Sequence, residues 1–130
     1  MENVKEKNMN DKTKELLERT FVFGVDILKF LACLPENHIY NIPKRQLARA
    51  VTSVGSNYEE AQAAESKRDF VHKIGISLKE ARESHYWLRI LNTLYIDKVN
   101  QEKLSIFINE SYELKNIFAT IKMSAEKVKV

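Results

Sequence analysis

Cysteine, proline and glycine are scarce in this chain of 130 residues, which holds one, two and three of them. A lone cysteine, Cys33, excludes an intramolecular disulfide and any zinc or iron–sulfur site built from several thiolates. So few turn-formers exclude an all-β fold, which reverses direction every few residues. No apolar run approaches the roughly 20 residues of a membrane span, and the first residues contain no secretory h-region. The expected compartment is therefore the cytoplasm, with no membrane partner. Walker, GxGxxG, GxSxG and HExxH motifs are all missing, so no cofactor is expected. The three histidines, His38, His72 and His85, are scattered. A di-metal bundle needs two Glu-x-x-His motifs, and the nearest approach is a single Asp69-x-x-His72. Cys33 falls on the polar side of its helix, near Asp26 and Lys29 in projection, with no cation or His–Asn pair placed to activate it. No catalytic or metal-ligating residue is expected.

What is present suits one globular domain: 44% hydrophobic and 30% charged residues, in a chain long enough to hold a core unaided. Residues 1–10 are polar and aperiodic and read as a frayed tail. The single domain spans 11–126, with helices expected over about 11–34, 43–64, 67–95 and 101–126. In the first, Leu17, Phe21, Gly24, Leu28 and Leu31 recur at spacings of 3 and 4, with Leu16, Phe23, Ile27, Phe30 and Leu34 beside them. Asn10 or Asp11 caps it, Pro35 stops it, and Pro43 fits the first turn of the second helix. Leu47, Ala50, Val51, Val54, Tyr58 and Ala61 form the second apolar stripe. Ser66 caps the third helix, with Asp69 in a capping-box-like position. Asp97 and Asn100 are candidate caps for the fourth, whose seam is Leu104, Phe107, Ser111, Leu114, Phe118, Ile121 and Ala125. Four amphipathic helices with short connections predict an all-α, antiparallel up-and-down four-helix bundle.

The third helix has apolar residues on two arcs. Phe70, Val71, Ile74, Leu78, Ala81 and Leu88 fall on one. Ile76, Trp87, Ile90, Leu91 and Leu94 fall on the other, with Glu80 and Glu83 among them. Opposed arcs suggest that the second meets another subunit; the alternative is that Trp87 covers a bundle end. Carboxylates beside Trp87 need a basic partner, within the subunit or between subunits. A metal-assisted hydrolase using Glu60, Glu80 and Glu83 is the enzymatic alternative, and the chain is read instead as non-enzymatic.

Between the arcs lies a flank with Arg68, Lys79, Arg82, Tyr86 and Arg89. It rises about 32 Å at 1.5 Å per residue. The cations are candidate phosphate contacts and Tyr86 a candidate stacking platform; the alternative is a solvated face or salt bridges to Glu80 and Glu83. Lys44, Arg45 and Arg49 cluster where the second helix starts, a candidate anion site. Gln46, Arg49, Ser53, Asn57 and Glu60 form a polar line on the same helix, either hydrogen-bonding across a helix seam or reading a partner.

The runs Gln46-Leu47-Ala48-Arg49-Ala50-Val51-Thr52-Ser53-Val54-Gly55-Ser56-Asn57-Tyr58-Glu59-Glu60-Ala61 and Ser66-Lys67-Arg68-Asp69-Phe70-Val71-His72-Lys73 are informative together. So are Lys79-Glu80-Ala81-Arg82-Glu83, Tyr86-Trp87-Leu88, Phe21-Val22-Phe23-Gly24-Val25 and Leu34-Pro35. Over most of residues 19–95 the chain resembles the bacterial four-helix-bundle family encoded in intervening sequences of 23S ribosomal RNA genes. Tyr58, where a smaller aliphatic is usual, and Ala61, where Gly is frequent, depart from its pattern. The resemblance implies a ring-shaped homopentamer without enzymatic activity. A related branch, the accessory protein of diversity-generating retroelements, binds a reverse transcriptase and nucleic acid through a basic surface. The expected function is association with nucleic acid, RNA or DNA, through repeated basic stripes. The alternative is a scaffold for a protein partner with no nucleic-acid role.

Overall fold

A computed structural model describes residues 10–127. Residues 1–9 of the expected frayed tail, and residues 128–130, lie outside the described residues. Four helices follow in order: α1 (Asp11–Cys33), α2 (Asn41–Ala61), α3 (Lys67–Leu94) and α4 (Lys98–Lys127). They form an antiparallel up-and-down four-helix bundle.

The helix ends follow local chemistry. Asn10 accepts a hydrogen bond from the Thr13 N–H at 2.8 Å and so caps α1. Ser66 accepts from the Asp69 N–H at 3.0 Å. The Asp69 carboxylate reaches back to the Glu65 N–H, one residue before the cap, at 3.4 Å. At α4 Asp97 is the residue that caps, accepting from the Asn100 N–H at 3.1 Å, so the helix begins three residues earlier than the spacing predicts. At α2 the Asn37 side chain takes the Ile39 and Tyr40 N–H groups, both at 3.0 Å. This starts the helix at Asn41, ahead of Pro43. Its far end loosens after Ala61 into i→i−3 bonds from Gln62, Ala63 and Ala64.

The core draws on every helix. Leu16, Phe23, Ile27 and Phe30 are buried on α1, as is Leu34 just past its end, and the six expected residues on α2 are all buried. The wide α1 face divides, however: Phe21 is 65% exposed and Leu28 and Val22 are also outside. On α4, Leu104, Ser111, Leu114 and Phe118 are buried, with Phe107 and Ile121 half-buried against them. Edge-on ring pairs tie the layers together: Phe30 with Phe107 at 5.5 Å and Tyr58 with Phe118 at 5.4 Å. Tyr58 therefore reaches across the core to α4. Helices α1 and α2 approach closely at two glycines: a Cβ on Gly24 would lie 3.2 Å from the Val51 carbonyl oxygen, and one on Gly55 3.2 Å from the Thr20 hydroxyl.

Helix α3 packs along its length on both α2 and α4, while α1 and α4 meet far less closely. Its inner line is Ile74, Ser77, Ala81, Ser84, Leu88 and Leu91, all fully buried. The two serines escape a hydrophobicity wheel because their hydroxyls are satisfied by carbonyls, Ser77 on Val54 at 2.9 Å and Ser84 on Glu80 at 2.8 Å. Small side chains let two neighbours pack on α3 at once. Its opposed apolar arcs thus find partners within one chain: Leu91 is in the core and Trp87 and Leu94 are half-buried against it. They do not by themselves require a second subunit. Leu78, expected in the core, is half-buried.

Leu114→Ala should cost about 2–5 kcal/mol, the range for a fully buried truncation, and Leu78→Ala clearly less. Urea unfolding of both variants checks this ordering; equal losses would contradict the burial assignment.

Candidate nucleic-acid interface

The polar chemistry between α2 and α3 centres on a buried carboxylate. Glu80 lies one turn from Ser77 and Ser84 on the inner side of α3, with a side chain only 5% exposed. Across the seam, Arg49 on α2 meets Glu80 through Nη1 at 3.1 Å and Glu83 through Nη2 at 2.6 Å. The planar guanidinium suits two carboxylates at once, which a lysine ammonium would serve less well. Trp87 Nε1 lies 3.5 Å from the Glu83 carboxylate. The Arg49 hydrogen bond holds Glu83 below the usual carboxylate range, helped by the Trp87 N–H and the nearby Lys79, while burial opposes them. Arg49 in turn is pushed up, chiefly by its bond to Glu83. Both glutamates therefore pair within the subunit.

The rest of the α2 polar line divides. Glu60 crosses to Lys73 on α3 at 3.2 Å. Asn57 donates to the Ser53 carbonyl at 2.9 Å, within α2 rather than across the seam. Gln46 is exposed.

Lys44 is misplaced by the sequence reading as a phosphate contact. It is buried, its ammonium donates to the Pro35 carbonyl at 2.9 Å, and it lies 5.9 Å from the centre of the Tyr95 ring. The α2 N-terminus is also unsuited to an anion. Its first N–H groups are taken by Asn37, Ile39 and Tyr40 acceptors. Arg49 is half exposed but engaged by Glu80 and Glu83, so of that cluster Arg45 is the exposed cation that, among the described residues, forms no salt bridge.

Arg68, Lys79, Arg82, Tyr86 and Arg89 meet the expectation of one outer face. All five are exposed, Tyr86 by 53%. Among the described residues none of the four cations forms a salt bridge; the acids of α3 point elsewhere, Glu80 and Glu83 to Arg49 and Asp69 to the cap. Tyr86, Arg89, Ile90, Thr93 and Leu94 border a shallow depression. The Tyr86 ring meets Trp87 edge-on at 5.0 Å, which braces its orientation.

Three further residues adjoin this face and were missed. His85 on α3 sits with its ring centre 6.1 Å from that of Tyr112 on α4, and Lys115 Nζ lies 4.4 Å from the centre of the Tyr112 ring. Burial, then the charges of Arg89 and Lys115, hold His85 below the usual imidazole value. The α4 heptad carried a signal for Lys115, which follows the seam residue Leu114. Its nearness to α3 depends on packing that the spacing does not reveal. Among the described residues no group of three or more His, Cys, Asp or Glu is placed to hold a metal ion, and no helix is long and apolar enough to cross a membrane.

Arg49→Met should destabilise the fold by about 1–3 kcal/mol at neutral pH, because it strands the buried Glu80. The Glu83 pKa is depressed in the folded state, so its contribution is complete above the unfolded pKa and fades as pH falls through the folded one. The gap between parent and variant should therefore shrink below about pH 4. Urea unfolding at neutral and acid pH checks this; a gap that does not change with pH would contradict the assignment.

A family model described as 23S rRNA-intervening sequence protein matches residues 12–120, from the first turn of α1 into α4. No match is found among curated proteins. Among solved structures, a protein of unknown function from the S23 ribosomal protein family of Bacteroides thetaiotaomicron VPI-5482, determined at 1.70 Å, is similar in fold. Its TM-score is 0.76 at 29% identity, covering 86% of this chain and 98% of that one. The four-helix architecture and the length of the family match agree: the chain belongs to the 23S rRNA-intervening sequence protein family.

Proposed function

We propose that this protein is a non-enzymatic, oligomeric helical bundle that associates with RNA through the outer face of α3. The observation that carries the reading is the row Arg68, Lys79, Arg82 and Arg89, exposed and without a salt bridge among the described residues. Helix α3 holds six Lys or Arg against three Asp or Glu, a surplus equal to the net +3 of the whole chain. Such a row contacts phosphates without reading bases, and Tyr86 offers a ring on which a base stacks. The reading assigns no catalytic residue, metal or cofactor.

Oligomerisation enters because one copy supplies only a modest field, which repetition of the stripe around a ring would multiply. A homopentamer is the assembly proposed. The exposed Phe21, Leu28 and Val22 of α1 are the apolar residues best placed for the subunit contact, since Trp87 is already engaged within its own bundle.

A second reading, a scaffold for a protein partner, is favoured by one observation. The α1–α4 seam opens into a groove of about 480 Å³, with Val22, Phe23, Ile106 and Phe107 among its lining and Asp26 and the Arg19–Glu110–Glu113 group beside them. An apolar floor with carboxylates suits a peptide rather than RNA.

Fluorescence anisotropy with a structured RNA separates the readings. The nucleic-acid reading expects steeply salt-dependent, sequence-tolerant binding. Arg82→Gln with Arg89→Gln should weaken it and lower the slope of log affinity against log salt by about 0.7–0.9 per lost contact. Absence of binding at low salt would move the assignment to the scaffold. For the assembly, light scattering of Phe21→Glu should show a lower mass than the parent with the helices intact. A parent-like pentameric mass would exclude the outer side of α1 as the contact, and a monomeric parent would exclude the oligomer.

A further inference from the structure

We propose that Arg89, Lys115 and His85 form a phosphate subsite at the α3–α4 seam, which takes a backbone phosphate of bound RNA with uptake of a proton at His85. The proposal rests on the nucleic-acid reading above and extends it onto a second helix and a titratable group.

The geometry brings His85 of α3 and Lys115 of α4 to one phenol ring, with Arg89 beside His85. Lys115 Nζ stands 4.4 Å from the Tyr112 ring centre, and the His85 ring lies 6.1 Å from it, tilted by 50°. Arg89 is one helical turn beyond His85 on α3 and close enough to act on its charge. The charged and titratable groups facing His85 are thus Arg89 on its own helix and Tyr112 and Lys115 on α4. Among the described residues no carboxylate pairs with His85, Arg89 or Lys115.

The missing counter-charge has a structural cause. The α4 acids nearest in sequence, Glu110 and Glu113, pair with Arg19 of α1. Arg19 binds Glu110 through Nε at 2.7 Å and Nη2 at 2.6 Å, and Glu113 through Nη2 at 3.4 Å. On the α3 side, Glu80 and Glu83 are held by Arg49. Two arginines therefore take the neighbouring carboxylates away from the seam, and its cations are left for an outside anion.

In the free protein burial, then the charges of Arg89 and Lys115, lower the His85 pKa and favour its neutral form. A phosphate seated between Arg89 and Lys115 offsets their repulsion and accepts a hydrogen bond from the imidazolium. The bound form then holds its proton to higher pH than the free form. By linkage, affinity for RNA rises as pH falls, by up to about tenfold for each unit by which binding raises the His85 pKa.

The test is anisotropy with a labelled oligouridylate at low salt, from about one pH unit above to one below the ordinary imidazole value of about 6.5. The parent should bind about three- to tenfold more tightly at the acid end. His85→Gln should bind with no such gain, whereas His72→Gln, altered at an exposed histidine one element face away, should keep it. Lys115→Gln should weaken binding at every pH and reduce the salt slope. Retention of the pH gain in His85→Gln, or parent-like affinity in Lys115→Gln, overturns the subsite. RNA binding with no pH dependence in the parent also overturns it and leaves the α3 stripe standing. Absence of RNA binding at every pH removes the stripe and the subsite together.

Discussion

A glutamate carried into the seam between α2 and α3 must be neutralised there, because a buried charge without a partner costs several kcal/mol or gives up its ionisation. Glu80 is that residue, and Arg49 is its partner across the seam. The same guanidinium also takes Glu83. This one fork ties α2 to α3 and converts an α2 cation into a structural element. It also removes two of the three acids of α3 from the outer surface. The exposed face of α3 is cationic because the seam has claimed its carboxylates.

The opposite edge of the bundle works in the same way. Arg19 spans the open α1–α4 seam and gathers Glu110 and Glu113. Acidic charge is thereby concentrated beside the α1–α4 groove, and basic charge remains on α3 and on the adjacent side of α4. The groove thus holds carboxylates paired with Arg19, while the outer face of α3 holds cations without a salt bridge among the described residues. On this difference rest the proposal of RNA contact on the α3 side and the second reading of a peptide in the apolar-floored groove.

Much of this was legible in the sequence. The α2 stripe from Leu47 to Ala61 repeats cleanly, and all six of its expected residues are buried. The caps at Asn10 and Ser66 were readable because a side-chain oxygen precedes each run by the right spacing. The basic row of α3 was readable from a wheel. Other features were not. Ser77 and Ser84 are fully buried, and a polar serine announces burial only once the carbonyl that accepts its proton is known. Lys44 looks like a surface cation beside Arg45, yet the Asn37 turn folds the Pro35 carbonyl over it. Phe21 and Leu28 look like core, but the α1 arc is wider than the two neighbours it packs on. The packing of Leu91, Trp87 and Leu94 of the second α3 arc inside the bundle was hidden too, because a helix in the middle of a bundle has two neighbours of its own. The pairing of Arg49 with both glutamates needed the register of two helices, which neither sequence segment holds alone.

The central claim is that RNA lies along α3 and the adjoining side of α4. Ultraviolet cross-linking of the bound RNA, followed by peptide mapping of the intact protein, tests it most directly. The account predicts adducts at Tyr86 and in the peptide carrying Tyr112, with α1 unmodified. Adducts confined to α1 or to the α1–α4 groove would contradict it.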